Sequence, residues 1–302
     1  MTHQRTVKEP ISFAGIGLHT GHRVLMQLRP APPNAGISFI RSDLDDHRIP
    51  AIPENFSTTA YATSISLNGA SVQTVEHFMA ALYCLGIDNL DVAIDGPELP
   101  IMDGSAAPFI YMLHEAGVRI QTRQRRLLRV LKPVKISNGD KGIAIYPSDA
   151  YRITYAIEFE HPLIRRQSRS IIVNEELFGD EIAPARTFGF MRDVEQLRRA
   201  GMALGGSLEN AIVIGENRIL NKQLRYNDEF VRHKILDAIG DLAFVGHRLQ
   251  GHVVAHKAGH TLHIELVNKL LASKDCFDLA RAHEPEAEEV AAFDLAEGKQ
   301  FS

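Results

Sequence analysis

The chain has 302 residues, 45% apolar and 23% charged, the composition of an ordinary soluble globular protein long enough for two domains with their own cores. Its 33 basic and 37 acidic residues give a net charge of −4, which argues against bulk electrostatic binding of nucleic acid or anionic membrane while leaving a local phosphate site open. Two cysteines, Cys84 and Cys276, cannot build a disulfide framework, residues 1–6 carry no hydrophobic signal core and no run approaches a membrane span, so a cytoplasmic protein is expected.

Residues 5–13 and 24–28 alternate well enough for strands. Between them, Gly15-Ile16-Gly17-Leu18-His19-Thr20-Gly21 has G-x-G-x-x-x-G spacing with no helical pattern after it, which rejects a dinucleotide-binding loop. It reads as a tight turn bringing backbone and His19 close to a ligand, or equally as a structural hairpin. Residues 58–67, rich in Thr and Ser, have strand character. A helix is expected over 72–86, ending at Gly86, with Phe78, Ala81, Leu82 and Leu85 on its core arc. Glu76 and His77 fall in its first turn, about 100° apart, so one can bind a metal while the other addresses a water on it. Without a metal, Glu76 simply favours the helix dipole and His77 is a surface residue. Residues 91–94 form a short strand. The proline- and glycine-rich stretch 96–105 is a shaped loop whose Ser105 caps a helix running to about Gly117. A basic, polar stretch at 119–129 separates the two halves, with a boundary near Gln124.

The second half restarts with strands at 134–136, 142–146, 151–159 and 170–173. Two β-rich segments, each followed by helices, predict an α+β fold of two similar domains, residues 1–124 and 125–280, with 281–302 as an acidic, Ala-rich peripheral tail. Residues 185–190, a helix to about Ala200, the run Gly201-Met202-Ala203-Leu204-Gly205-Gly206-Ser207 and a strand at 211–214 gather small and apolar residues. They could line a slot for an alkyl chain, or simply pack a core.

Residues 229–244 form the most informative helix. Val231, Ile235, Ala238, Ile239 and Leu242 share one arc, and His233, Asp237 and Asp241 make a stripe at i, i+4 and i+8. An imidazole and a carboxylate one turn apart can both reach one divalent cation. Alone, such a pair is more often a solvated polar face, but Leu236, Gly240 and Phe244 flank the stripe, and a buried row of this kind needs partners. Downstream, His252, His256 and His260 would align on a helix as a rival metal site. Gly251, Gly259 and the Val253-Val254 pair favour a strand running into a glycine turn instead.

His77, His233 and Asp237 together offer two imidazoles and a carboxylate with a fourth tetrahedral position open, the pattern of a catalytic zinc site. Glu76 supplies a base beside a ligand, and Asp241 could orient an acid such as His260. This is what amide hydrolysis by metal-activated water requires.

Several stretches then carry a resemblance: the Gly15 to Gly21 run, Thr74-Val75-Glu76-His77, Pro100-Ile101-Met102-Asp103-Gly104-Ser105, Ala185-Arg186-Thr187-Phe188-Gly189-Phe190, Gly205-Gly206-Ser207, residues 230–242 and Lys257-Ala258-Gly259-His260. In this order, across nearly the whole chain, they resemble the zinc-dependent UDP-3-O-acyl-N-acetylglucosamine deacetylases of lipid A biosynthesis. The resemblance implies two βα-sandwich domains facing each other with the metal between them. His77, His233 and Asp237 would hold Zn²⁺ (Fe²⁺ could serve the same ligands), and Glu76 would be the general base. A protonated His260, held by Asp241, would stabilise the oxyanion and protonate the leaving amine, with Thr187 adding a hydrogen bond. Lys234 would meet the diphosphate and Phe188 would pack beside the sugar or nucleobase. Val194, Ala203, Ala211 and Val213 would line the passage for the 3-O-acyl chain.

The implied substrate is a UDP-linked acylated amino sugar, deacetylated with release of acetate by a monomer with no nucleic-acid partner, membrane-surface contact being left open. The chain departs from the pattern in two places. Leu262-His263-Ile264 stands where Leu-Asn-Asn is common, and Tyr61-Ala62-Thr63 also differs; the pocket shape nearby is affected, and His263 could perturb the acid. The alternatives are a zinc amidohydrolase for another acylated sugar, or a non-catalytic UDP-sugar- or acyl-binding protein, against which the full set of Glu76, His77, His233, Asp237, Asp241 and His260 speaks.

Overall fold

The computed structural model describes residues 2–58 and 61–281. Pro10 divides the alternating segment 5–13 between two strands, β1 (His3–Val7) and β2 (Ile11–Ile16). In β3 (Arg23–Pro30), Val24, Met26 and Leu28 alternate with exposed neighbours and are fully buried. After β4 (Ile37–Arg41) and β5 (His47–Pro50), the segment expected as one strand over 58–67 is instead two. β6 (Phe56–Thr58) and β7 (Ser64–Leu67) form a three-stranded antiparallel sheet with β8 (Ala70–Gln73). Val72 and Gln73 therefore belong to a strand and not to the expected helix. The β-branched Val72 pairs with Ile65, and Thr74 turns the chain in the left-handed region at φ 59°.

Helix α1 (Glu76–Leu85) begins immediately after that turn and ends at Gly86 in the left-handed conformation. Every residue of α1 is buried. It lies on the sheet β2-β3-β9-β4-β5, where β9 is Leu90–Ile94, with Phe78 edge-on to Phe39 of β4. Helix α2 (Ala107–Ala116) packs beside it through Phe109 and Phe78. Ser105 precedes the N-cap position by one residue, yet its hydroxyl still accepts the Ala107 N–H at 3.3 Å. The stretch read as a polar separator, 119–129, is two strands: β10 (Val118–Gln124), paired with β1, and β11 (Arg126–Val130).

A seven-stranded sheet is built from β11, β12 (Val134–Asn138), β13 (Lys141–Tyr146), β14 (Tyr151–Glu158), β15 (Arg166–Ile172), β18 (Arg248–His256) and β19 (Phe277–Arg281). Tyr151, Ile153, Tyr155 and Ile157 alternate inward along β14. Ala280 and Arg281, expected at the edge of the tail, pair with Leu127 and Arg126; residues 282–302 lie outside the described residues. Two insertions precede the long central helix. The first is a short turn, α3 (Glu175–Leu177). The second comprises β16 (Phe188–Phe190), α4 (Met191–Arg199) and β17 (Ile212–Ile214), with β16 and β17 parallel.

Helices α5 (Glu229–Leu242) and α6 (His260–Ala272) cover the seven-stranded sheet, and α5 also packs directly on α1. No helix is expected from the sequence at α6, although Leu262, Leu266, Val267 and Leu270 carry the 3.6-residue period and are buried. The fold is thus α+β, with its two larger sheets each covered by helices that meet at α1 and α5. Among the described residues, no helix is long and apolar enough to cross a membrane.

The α1–α5 contact is close because Gly240 has no side chain: a Cβ built there would lie 2.0 Å from the Glu76 carbonyl oxygen. Gly240→Ala is expected to destabilise the protein by about 1–3 kcal/mol through overpacking. It should also lower activity by moving Glu76. Urea unfolding midpoints and turnover rates of the variant check this, and an unchanged midpoint would contradict the packing argument.

Candidate metal centre and acid–base site

The α1–α5 contact brings His77, from the first turn of α1, to His233 and Asp237, one turn apart on α5. All three side chains are nearly fully buried. The solvated-face reading of the α5 stripe is therefore excluded. Asp237 Oδ1 lies 3.3 Å from His233 Nε2 and 3.5 Å from His77 Nε2, and it has no hydrogen-bond partner among the described residues. Donors held about 2.0–2.1 Å from a tetrahedral ion sit about 3.3–3.4 Å from one another, so the spacing fits a shared divalent cation. His233 Nδ1–H donates to the Ala185 carbonyl at 3.0 Å, which fixes the tautomer that leaves Nε2 free as a ligand. Burial brings the His233 pKa down to about 4, so the ring is neutral at pH 7. Burial works against a charge on Asp237, but Lys234 and His233 outweigh it and hold the carboxyl well below the usual range. Lys234 Nζ donates to Asp237 Oδ2 at 2.6 Å, leaving Oδ1 for a cation.

A second cluster adjoins the first. His260, the first residue of α6, donates Nδ1–H to Asp241 Oδ2 at 2.7 Å. Its Nε2 thereby faces the first cluster, 3.9 Å from Asp237 Oδ2. Burial opposes the imidazolium, yet the Asp241 carboxylate prevails and raises His260 to about 9. Asp241 itself is fully buried, which opposes its charge, but His260 and His263 bring it down to about 2. Glu76, buried beside His77, accepts the Thr63 N–H at 3.0 Å, and burial raises its carboxyl above the ordinary value of 4.5. The carboxylates of Glu76 and Asp237 and the ring of His260 offer atoms within 4.8 Å of one another. The nitrogens that the His260–His263–Asp241 group turns inward are already engaged in hydrogen bonds of 2.7 and 2.8 Å to Asp241 Oδ2. His77, His233 and Asp237 are thus the better cation site.

The remaining sequence candidates lie on α5, on the turn between β2 and β3 and in the segment from Thr187 to Val213. Thr187 is two residues beyond Ala185 and is tied to the Pro100 to Ser105 loop by its N–H to the Gly104 carbonyl at 2.8 Å. The Phe188 ring lies edge-on to His233 at 6.2 Å. Lys234 is largely buried in its ion pair. Val194, Ala203, Ala211 and Val213 are half-buried in the β16–α4–β17 insertion. The two glycine runs touch: Gly205 N–H donates to the Leu18 carbonyl at 3.0 Å, and a Cβ on Gly205 would lie 2.2 Å from the Gly17 carbonyl oxygen. His19 sits at that junction with both ring nitrogens buried and without partners among the described residues. Burial lowers its pKa. The rival histidine site does not form. His252 and His256 lie on β18, as the strand reading requires, and His252 Nε2 meets Thr154 Oγ1 at 2.8 Å.

The sequence marks Thr63 and His263 only as departures from the family pattern and gives Glu98 no role beyond the loop, and the structure supplies the contacts of all three. Thr63 donates its hydroxyl to Asp241 Oδ1 at 2.6 Å and its N–H to Glu76, so it spans the two clusters. Only tertiary proximity reveals this bridging role. Glu98, fully buried, accepts the His19 and Thr20 N–H groups at 2.8 Å each and the Thr74 hydroxyl at 3.1 Å, folding the glycine turn. His263 donates to Asp241; its signal was its place three residues after His260, on one face once the segment is a helix.

Residues 4–272 match the model of a protein family described as UDP-3-O-acyl N-acetylglycosamine deacetylase. Among curated proteins, the chain is similar to the UDP-3-O-acyl-N-acetylglucosamine deacetylase of Syntrophotalea carbinolica, with 51% identity over 94% of this chain and 93% of the relative. The enzymes of that name from Myxococcus xanthus (50% identity over 95% and 92%) and Shewanella piezotolerans (43% identity over the full length of both) are similar as well.

Proposed function

The chain belongs to the UDP-3-O-acyl N-acetylglycosamine deacetylase family, and on that premise we propose how its own residues carry out the reaction. The reaction is deacetylation of UDP-3-O-acyl-N-acetylglucosamine in lipid A biosynthesis. His77, His233 and Asp237 would hold a divalent cation; two imidazoles and one carboxylate suit Zn²⁺, and Fe²⁺ could use the same donors. Bound there, the cation supplies the Lewis acidity that polarises the acetamide carbonyl and acidifies water. Glu76 takes the proton of the attacking water as its oxygen bonds to the carbonyl carbon. His260 has Nδ1 committed to Asp241, so Nε2 carries the proton that goes to the departing amine as the C–N bond breaks and acetate leaves. Thr187 donates to the developing oxyanion. The observation that carries this reading is the buried Asp237 Oδ1, without a hydrogen-bond partner among the described residues and set 3.3 and 3.5 Å from two imidazole nitrogens, with a base and an imidazole–carboxylate pair beside it.

The substrate is gripped at three further places. Lys234 uses one N–H on Asp237 and has two left for the diphosphate. Phe188 and His19 flank the sugar nucleotide, and Val194, Ala203, Ala211 and Val213 line the acyl passage. We read the two sheet-and-helix assemblies as paired βα-sandwich domains, residues 1–124 and 125–280, acting as a cytoplasmic monomer that can meet a membrane surface to receive the acyl chain.

Each buried methylene is worth about 0.8 kcal/mol, so the passage supplies much of the affinity. Substrate without the 3-O-acyl group should therefore react poorly although its acetamide is identical. Ala211→Phe should penalise long chains more than short ones, and Lys234→Ala should weaken all lengths about equally. A ladder of kcat/KM values against acyl length tests the reading, and equal losses at every length in Ala211→Phe would remove the passage from this insertion.

A further inference from the structure

Asp241 is held by three side chains, one from the loop before β7 and two from α6. Its Oδ1 accepts the Thr63 hydroxyl at 2.6 Å, and its Oδ2 accepts Nδ1–H of His260 at 2.7 Å and Nδ1–H of His263 at 2.8 Å. His263 is fully buried, one turn from His260 on α6. Its other nitrogen, Nε2, is 3.0 Å from the hydroxyl of Tyr155, a fully buried residue of β14 that also reaches the Ala258 carbonyl at 2.8 Å. Burial lowers the His263 pKa, so the neutral ring gives its one proton to Asp241, and its Nε2 lone pair shares the single Tyr155 hydroxyl proton with the Ala258 carbonyl. Both nitrogens of His263 are thus committed, and neither is free to meet a substrate.

We propose that His263 is a positioning residue for the deacetylation: it locks the plane of the Asp241 carboxylate from the side opposite Thr63, and Asp241 in turn aims Nε2 of His260 at the reacting group. The inference rests on the deacetylase reading above. Without His263, Oδ2 of the fully buried Asp241 would lose one of its two hydrogen bonds, and the carboxylate, left to Thr63 and His260, would be held less firmly against rotation about its Cβ–Cγ bond. Rotation moves the atom that holds His260, and displacements of about 1 Å near a reacting centre can cost about 10²-fold in rate.

Side-chain geometry separates this role from mere packing. In asparagine, Nδ2 branches from Cγ where histidine has Nδ1, so His263→Asn keeps the donor to Asp241 and loses the bond to Tyr155. His263→Gln reaches the Nε2 position and does the reverse. His263→Leu loses both. Each variant would be assayed for kcat and KM on the UDP-linked acylated substrate, for bound metal, and for Tm. The expected result is kcat within about threefold of wild type for His263→Asn and on the order of 10- to 100-fold lower for His263→Gln and His263→Leu, with KM and metal content little changed in all three. His263→Asn and His263→Gln should lose similar amounts of Tm, since each gives up one buried hydrogen bond. Equal kcat in the asparagine and glutamine variants, or kcat following Tm across the series, would overturn the inference while leaving the deacetylase reading intact. A wild-type protein that releases no acetate would overturn both.

Discussion

His77→Ala is expected to leave the folded protein with little bound metal and to lower deacetylation by about 10³-fold or more, because Lewis acidity at the carbonyl is worth several kcal/mol in the transition state. His77 offers Nε2 to the shared position 3.5 Å from Asp237 Oδ1, and its Nδ1 has no partner among the described residues. Its loss therefore removes a ligand without breaking another bond. His233→Ala should act alike but also frees the Ala185 carbonyl, and Asp237→Ala strips Lys234 of its carboxylate. Those two should lose stability as well as metal, which makes His77→Ala the clean test. Metal content by mass spectrometry, read beside the circular dichroism spectrum, checks the result. Stoichiometric metal at wild-type affinity in all three variants would dissolve the assigned centre.

Glu76→Gln should keep fold and metal yet lose about 10²–10⁴ in rate, the usual worth of a positioned proton acceptor. The pH dependence follows from the same environment. Burial raises Glu76, so activity should climb as pH rises through a value above 4.5, where the carboxyl loses its proton. The Asp241 carboxylate keeps His260 protonated against the effect of burial, so activity should hold beyond the ordinary imidazole value of 6.5 and fall as pH rises through about 9. The acidic limb should vanish from the residual activity of Glu76→Gln and the alkaline limb from that of His260→Ala. An alkaline limb unchanged in His260→Ala would assign the proton donor elsewhere.

The α5 stripe was legible because helical spacing is local information. His233, Asp237 and Asp241 share a stripe whatever surrounds them, and the flanking Leu236 and Phe244 already argued that the stripe is buried. The partner helix was legible in type, but its start was not. Val72 and Gln73 carry an apolar pattern that also suits a strand, and pairing with β7 decides the matter. Helix α6 was missed because Gly259 and the β-branched residues before it drew the reading towards a turn. Thr63 and Glu98 act across distances that no sequence period encodes. Thr63 joins Asp241 from 178 residues away, and Glu98 joins His19 from 79. His263 stood out only as a departure from a familiar pattern, and its bond to Asp241 gives that departure a physical meaning.

The most direct measurement is acetate release from UDP-3-O-acyl-N-acetylglucosamine by the purified protein, before chelation, after removal of metal, and after Zn²⁺ is restored. The site described here predicts steady release by the holoprotein, loss after chelation and recovery on adding back the metal, with a matched UDP-N-acetylglucosamine lacking the acyl chain turned over poorly throughout. Release that persists at full rate in metal-free protein would contradict the account at its centre.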